Sequence, residues 1–548
     1  MVDGPSEDSE SLRLLTPSPY SPPTAPTVVT DTASVVLSLD SELDLQQQMI
    51  DQMNYLQEPE TTPHGRHLGV FAMVMMILQR IIGSGIFAVP ALIYRDLGGS
   101  PALFFAVWLI AGYVSFAGLF CFLELGKIIP RSGGMKVFLE YIYYKPRMLM
   151  SVLYNTYSIA FGFTITNAII FGEYTLYSLG WDDVNGMAPK YIGCVYVVLC
   201  CVVVGVSTNA GVRVSNITGA LKLVLLAIMS LTGVYVLVLP TSVTGVTSNL
   251  HWHDFFKQKR EITLASFISA ILKATFSFGG WHTAHIVTNE IKDPVRTLAI
   301  AGPLALLIVN VSYFFLNLSY LIVIPDSELA SSGEMVGSLL YEKLFGYTIG
   351  RQCLTMTVAV SSAGNIFTVM FHLSRMNQEI FREGFLPFSR FFASNWPFGA
   401  PLRALVFPLV ISCFFLLIPT PDNVYDYIIN LESYPLELFL GLTVAGIFVL
   451  KRRIPDYQYP NRLLVVHAVV TLALAVFLVV APLNPFKPSE FVGFPNYAYT
   501  AVSILLLCVL YWAYTFVWAP HWGHYTLYPV QDTLSDGLVV KRWEKKLE

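Results

Sequence analysis

Three observations predict an all-α integral membrane protein of about twelve transmembrane helices. Charged residues make up 13% of the 548-residue chain, hydrophobic ones 54%, and mean hydropathy is +0.58. A soluble domain carries roughly 25% charged residues, so this chain could not cover itself with a polar surface. From His67 onward, apolar runs of ~20 residues, the length a bilayer core requires, alternate with short polar loops. Two of these runs are interrupted by glycine clusters at corresponding places.

The elements follow in order. Residues 1–62 contain three Ser/Thr-Pro steps (Thr16-Pro17, Ser18-Pro19, Ser21-Pro22), many acids, one arginine and no lysine. Such a segment buries too little apolar surface to offset its ordering entropy, which predicts a disordered tail with a short amphipathic stretch near Leu43–Leu56. Its acidic, Ser/Pro-rich start lacks the apolar region of a signal peptide. Spans are expected near 68–93, 101–126, 147–179, 190–208, 215–239, 264–291, 297–324, 350–380, 400–419, 424–450, 461–482 and 495–519. A transporter core of 63–450, with helices 11 and 12 at 461–519 and a tail at 520–548, completes the division. One set of loops and loop edges holds sixteen Lys and Arg residues, among them Lys136, Arg382 and Arg453; the opposite set holds eight. The richer set is expected to be cytoplasmic, and both termini with it. The net charge of −4 gives no basis for nucleic-acid binding. Seven cysteines lie in or beside apolar runs without CxxC spacing, and read as buried small hydrophobes rather than disulfide or metal ligands.

The first span contains Gly83-Ser84-Gly85 and then Pro90; the sixth contains Phe276-Ser277-Phe278-Gly279-Gly280-Trp281. Glycine costs about 1 kcal/mol relative to alanine inside a helix, and clustered glycines at mid-membrane depth invite unwinding. Non-helical backbone is tolerated there where protein or a cavity surrounds it. Spans one and six are equivalent in two five-helix halves, 68–239 and 264–450. Paired interruptions of this kind point to a transporter site built from an inverted repeat. Close helix packing through small residues is the competing reading.

The run Ile81-Ile82-Gly83-Ser84-Gly85-Ile86-Phe87 resembles the first-helix signature of the amino acid–polyamine–organocation (APC) superfamily, especially its L-type amino-acid transporter branch. Pro130 to Gly134, Phe276 to Trp281 with Asn289 to Arg296, and Arg382 to Pro387 resemble its later motifs, in order, across 65–460. The string Asn430-Leu431-Glu432-Ser433-Tyr434-Pro435 looks closer to the fungal methionine-permease subgroup. The resemblance implies a LeuT-type 5+5 inverted repeat with helices one and six broken. It implies that Ile81, Ser84 and Gly85 offer backbone groups to a substrate carboxylate. Phe276 would be the aromatic lid, with Ser277 and Gly279 facing the ammonium.

Lys222, a few residues inside the fifth span, matches the place where sodium-coupled relatives hold a cation. The resemblance makes it a proton carrier or fixed positive charge, with Ser361 and Ser362 lining the same pocket. Snorkelling to the interface is the alternative. Glu432 and Glu437 are intramembrane carboxylates that could bind the ammonium, relay protons or form a structural ion pair. Lys273 could pair with a glutamate across the site; His282, His285, Asn167, Asn365, Glu173 and Glu124 are further polar residues in or beside spans.

The expected activity is proton-coupled uptake of a neutral amino acid, methionine first, at the plasma membrane, without cofactor, metal or enzymatic chemistry. An obligate exchanger and a non-transporting amino-acid sensor are the alternatives. Animal relatives depend on a cysteine link to a glycoprotein; the loop Trp181–Lys190 has no cysteine, so no covalent heavy-chain partner is expected. Ubiquitin ligase adaptors would act on Lys541, Lys545 and Lys546, described by sequence as exposed, and phosphorylation on the Ser/Thr-Pro steps. The sequons at Asn216, Asn310 and Asn317 fall within spans or at the cytoplasmic face, which predicts no N-glycan.

Overall fold

The computed structural model describes residues 66–181, 186–418, 424–454, 459–483 and 495–547. The N-terminal tail with its Ser/Thr-Pro steps and amphipathic stretch lies outside them, as do residues 182–185 of the loop after the third span. Among the described residues, eleven helices are long and apolar enough to cross a membrane. A shorter apolar helix, Arg403–Leu417, stands where the ninth span was expected. The chain is a multi-pass membrane protein. Its outward faces are apolar: Val195, Leu507 and Val480 are 70%, 64% and 61% exposed, the pattern of side chains that meet lipid rather than water.

The first span divides into α1 (Val70–Ile81) and α2 (Gly85–Asp96). Between them Ile82 turns to extended backbone, with φ −77° and ψ 92°. The third span divides too, into α3 (Leu149–Ala160) and α4 (Ile165–Ser178), where one continuous helix was expected. Its gap, 161–164, contains Gly162, whose absent Cβ would stand 2.5 Å from the Ser158 carbonyl oxygen. The fifth span is the continuous α5 (Thr208–Val238).

The sixth span begins as α6 (Leu264–Phe278), whose start is fixed by a capping box between Thr263 and Ser266. After Gly279 and Gly280 it continues as 3₁₀ helix, Trp281–Glu290, and not as α-helix. The seventh, eighth and tenth spans contribute α7 (Pro294–Val323), α8 (Thr355–Arg382) and α9 (Val424–Arg453). The broken segments therefore sit in a wall of continuous helices. Side chains from these helices and from α4 replace their missing helical hydrogen bonds.

The C-terminal segment, expected as a plain tail, contains an antiparallel hairpin. It pairs β1 (Tyr525–Thr533) with β2 (Val539–Leu547), Tyr525 opposite Leu547. The hairpin is clasped to the end of α8. Lys541 Nζ lies 3.1 Å from Glu383 Oε2, Trp543 Nε1 donates to the Glu383 carbonyl (2.9 Å), and Arg382 Nε donates to the Val539 carbonyl (2.9 Å). At the hairpin's turn, the Asn395 N–H donates to Asp536 (2.6 Å). Lys541 is thus half-buried in an ion pair, which corrects its reading as an exposed lysine; Lys545 and Lys546 are exposed. Glu383 also meets Lys136, 3.0 Å away on the short helix Met135–Ile142. Burial by itself would raise the Glu383 carboxyl, but Lys136 and Lys541 outweigh it and hold it far below the usual carboxylate range.

Candidate substrate site

The end of α1 leaves carbonyls that no later helical N–H can reach, and side chains from three other spans supply the donors. Asn365 Nδ2 of α8 donates to the Gln79 and Arg80 carbonyls, at 2.9 Å each. Lys222 Nζ of α5 donates to the Ile82 carbonyl and lies 3.5 Å from that of Gln79. Tyr313 of α7 reaches the Ile81 carbonyl at 3.4 Å. Across the gap, the Ser84 N–H donates to Asn167 Oδ1 of α4 at 2.9 Å. Gly83 lies inside this clamp. A Cβ there would stand 2.8 Å from both Asn167 Oδ1 and Asn365 Nδ2, so only glycine lets the two amides close on the backbone.

The second break is made differently. Gly280 takes φ +115°, a conformation glycine alone adopts readily. Its missing Cβ would stand 2.6 Å from Arg80 Cγ, so the Arg80 stem crosses over it and the two breaks interlock. Tyr313 joins them a second time, since its hydroxyl also lies 3.1 Å from the Ser277 carbonyl.

A cavity of about 160 Å³ opens where the breaks meet. Ile81, Ser84, Gly85, Gly279, Phe276, Asn167 and Asn365 line it. Its charged and titratable groups are Arg80, His282, His372, Glu432 and Glu437. Arg80 and Glu432 act on each other electrostatically, and Glu437 sits beside Thr275. One oxygen of Glu432, Oε2, is buried without a hydrogen-bond partner. Met135, Ile286 and Met376 continue the cavity toward the Lys/Arg-rich face.

The other expected site residues lie elsewhere. Ser277 does not line the cavity; its hydroxyl donates to the Lys273 carbonyl (3.0 Å) and its Cα packs against Gly85. Its expected place facing the ammonium is therefore corrected to one of helix packing, because Gly85 brings the two backbones together. Lys222 stands behind the first break, only 2% exposed, rather than snorkelling to an interface. Ser361 and Ser362 are buried on α8 outside the cavity lining, their hydroxyls without protein partners. Lys273 pairs with Asp96 at 2.5 Å. His285 packs against the rings of Phe122 and Phe138. Glu124 pairs with Lys127 (3.1 Å), and Glu173 lies near Lys190 and Glu334.

Arg80 and His372 are site residues that the sequence reading did not single out. Arg80 is the only charged residue in the predicted span 68–93. A charge at that depth is by itself a marker of function. His372 carried no comparable signal: it lies two turns after Asn365, on a helix whose polar residues are spread along its length.

Two broken spans meeting at a cavity that holds charged side chains, inside a sleeve of lipid-facing helices, define a secondary-transporter architecture. The model of the family described as amino acid permease matches residues 68–514, and the chain belongs to that family. It is 38% identical to the low-affinity methionine permease of Saccharomyces cerevisiae over 490 residues, 88% of each chain. To that organism's high-affinity methionine permease it is 29% identical, over 88% of this chain and 84% of the relative. It is also 28% identical to the human large neutral amino acids transporter small subunit 2, over 76% of this chain and 75% of the relative. The chain is accordingly an amino-acid transport protein of the membrane.

Proposed function

We propose that this protein is a proton-coupled symporter that takes up methionine, or another neutral amino acid, across the plasma membrane, with both termini cytoplasmic. The observation that carries this reading is the cavity at the junction of the two breaks, where backbone, an aromatic ring and both signs of charge converge. The names of the two yeast relatives support methionine as the first substrate to test. The substrate would sit between the breaks, with Phe276 closing over it. A bundle of spans one, two, six and seven would rock against the remainder to alternate access.

Lys222 is the coupling residue in this reading. Its ammonium holds the carbonyl of Ile82, so a change in its charge alters a bond to the first break itself. This bond gives any change in its protonation a mechanical consequence.

Uptake of radiolabelled methionine into proteoliposomes tests the reading, with and without an inward proton gradient and with unlabelled amino acids as competitors. Gradient-driven accumulation, lost in Lys222→Ala while binding survives, is the expected result. Flux that requires amino acid preloaded inside would replace symport by obligate exchange. Binding without flux under either condition would make the protein a sensor.

A further inference from the structure

Amino-acid recognition at a broken helix ordinarily relies on freed backbone groups. Here much of the carbonyl backbone at the first break is already taken. The carbonyls of Gln79, Arg80, Ile81 and Ile82 already receive donors from Asn365, Lys222 and Tyr313, and the Ser84 N–H is given to Asn167. Two opposite charges line the same cavity. The Arg80 guanidinium, with five donors, makes no hydrogen bond or ion pair among the described residues, and its side chain lines the cavity. Glu432 stands on α9 with Oε2 buried and unpartnered. The two sense each other's charge without forming a salt bridge.

We propose that Arg80 and Glu432 bracket the substrate as a zwitterion, with Arg80 on the α-carboxylate and Glu432 on the α-ammonium. Side-chain charges thereby join the backbone groups of the break in recognising the substrate. The proposal rests on the amino-acid transport reading and specifies its chemistry. An arginine matches a carboxylate with two parallel donors, and a bound zwitterion completes both buried charges together. Gly280 fixes the arrangement: with the Arg80 stem lying across it, any side chain there would push the guanidinium out of line. His282, His372 and Glu437, the other titratable groups of the cavity, flank the bracket.

Binding of labelled methionine to the purified full-length chain, competed by methionine amide (no carboxylate) and by 4-(methylthio)butanoate (no ammonium), provides the test. Both analogues should compete with the wild type at least about 30-fold more weakly than methionine, as loss of one partner of a buried charge pair predicts. Arg80→Gln should weaken methionine by a similar factor and leave the amide nearly unchanged. Glu432→Gln should do the same with the butanoate spared. Arg80→Lys, which keeps the charge, should recover part of the loss, and thermal melting of each variant separates misfolding from lost recognition. If Arg80→Gln and Glu432→Gln remain folded and weaken methionine and both analogues equally, or weaken none, the bracket is wrong while amino-acid binding stands. Should the wild type bind no amino acid in the panel, the functional reading falls and takes the bracket with it.

Discussion

The two breaks do the same thing to a helix by different means. At the first, side chains from four other spans take over the backbone hydrogen bonds, and Gly83 is enclosed between two amides 2.8 Å from where its Cβ would be. At the second, a glycine pair bends the chain by its own conformational freedom, and 3₁₀ helix follows. The first is held from outside and the second from within. A break held by neighbours resists local change; one held by glycine torsions can move by rotating a few bonds. The comparison assigns the rigid part of the site to the first break and its partners on spans three, five, seven and eight, and the yielding part to span six.

Substitutions at the two breaks separate these roles, and the largest effect is expected at Gly83. Gly83→Ala drives a methyl group into both Asn167 and Asn365, and should abolish uptake and destabilise the protein by about 2–4 kcal/mol, since two buried amides lose their geometry. Detergent-solubilised melting curves check it; unchanged melting would mean the clamp is not rigid. Gly280→Ala comes next. It combines φ +115° with a clash against the Arg80 stem, and should cost about 1–3 kcal/mol with a greater loss in methionine affinity than in stability. An equal loss of both would contradict a yielding second break.

Removing one donor from the clamp is milder. Asn365→Ala frees two buried carbonyls and should cost about 2 kcal/mol, while Asn167→Ala frees one N–H and should cost about 1 kcal/mol. Hydrogen exchange measured alongside should show faster exchange around Gly279–Thr283 than around Ile82–Gly85 in the wild type. The reverse order would overturn the comparison. Ser277→Ala should have the smallest effect, within about 0.5 kcal/mol and with affinity unchanged, because this side chain serves its own helix.

The C-terminal clasp offers a pH test away from the membrane interior. Glu383 is held below its ordinary value, so its contribution is complete above the unfolded carboxylate pKa, near 4.3, and fades only as pH falls toward the lower folded value. Hairpin protection from trypsin should therefore be flat between pH 5 and 8 in the wild type. Glu383→Gln should expose the hairpin throughout that range; a wild-type transition inside it would contradict the assigned direction.

The sequence carried much of this, unevenly. Spans one and six were legible as broken because each concentrates glycines in an apolar run. The third span was not, because a single Gly162 costs too little to outweigh helix on either side. The Lys273–Asp96 pair joins residues 177 positions apart, and no local pattern foretells such a contact. Arg80 is visible as a lone charge in an apolar span, a mark of function at that depth. The hairpin had a turn signal in Asp536-Gly537, offset by Pro529 within the first strand, which usually argues against a strand. What sequence could not supply was the clamp, for it consists of tertiary contacts to backbone atoms, and backbone is the same in every sequence.

The clamp has a mechanical consequence for any carrier that works by rocking. Asn167, Asn365 and Lys222 all attach to the four residues on either side of Gly83. In a rigid rotation, displacement is zero on the axis and grows in proportion to distance from it. Bonds gathered at one point survive such a turn only if the axis passes through them. The break in the first span is then the fulcrum on which both halves of the span swing as lever arms. A small angular change there opens one end of the pathway and closes the other without breaking a single bond at the pivot.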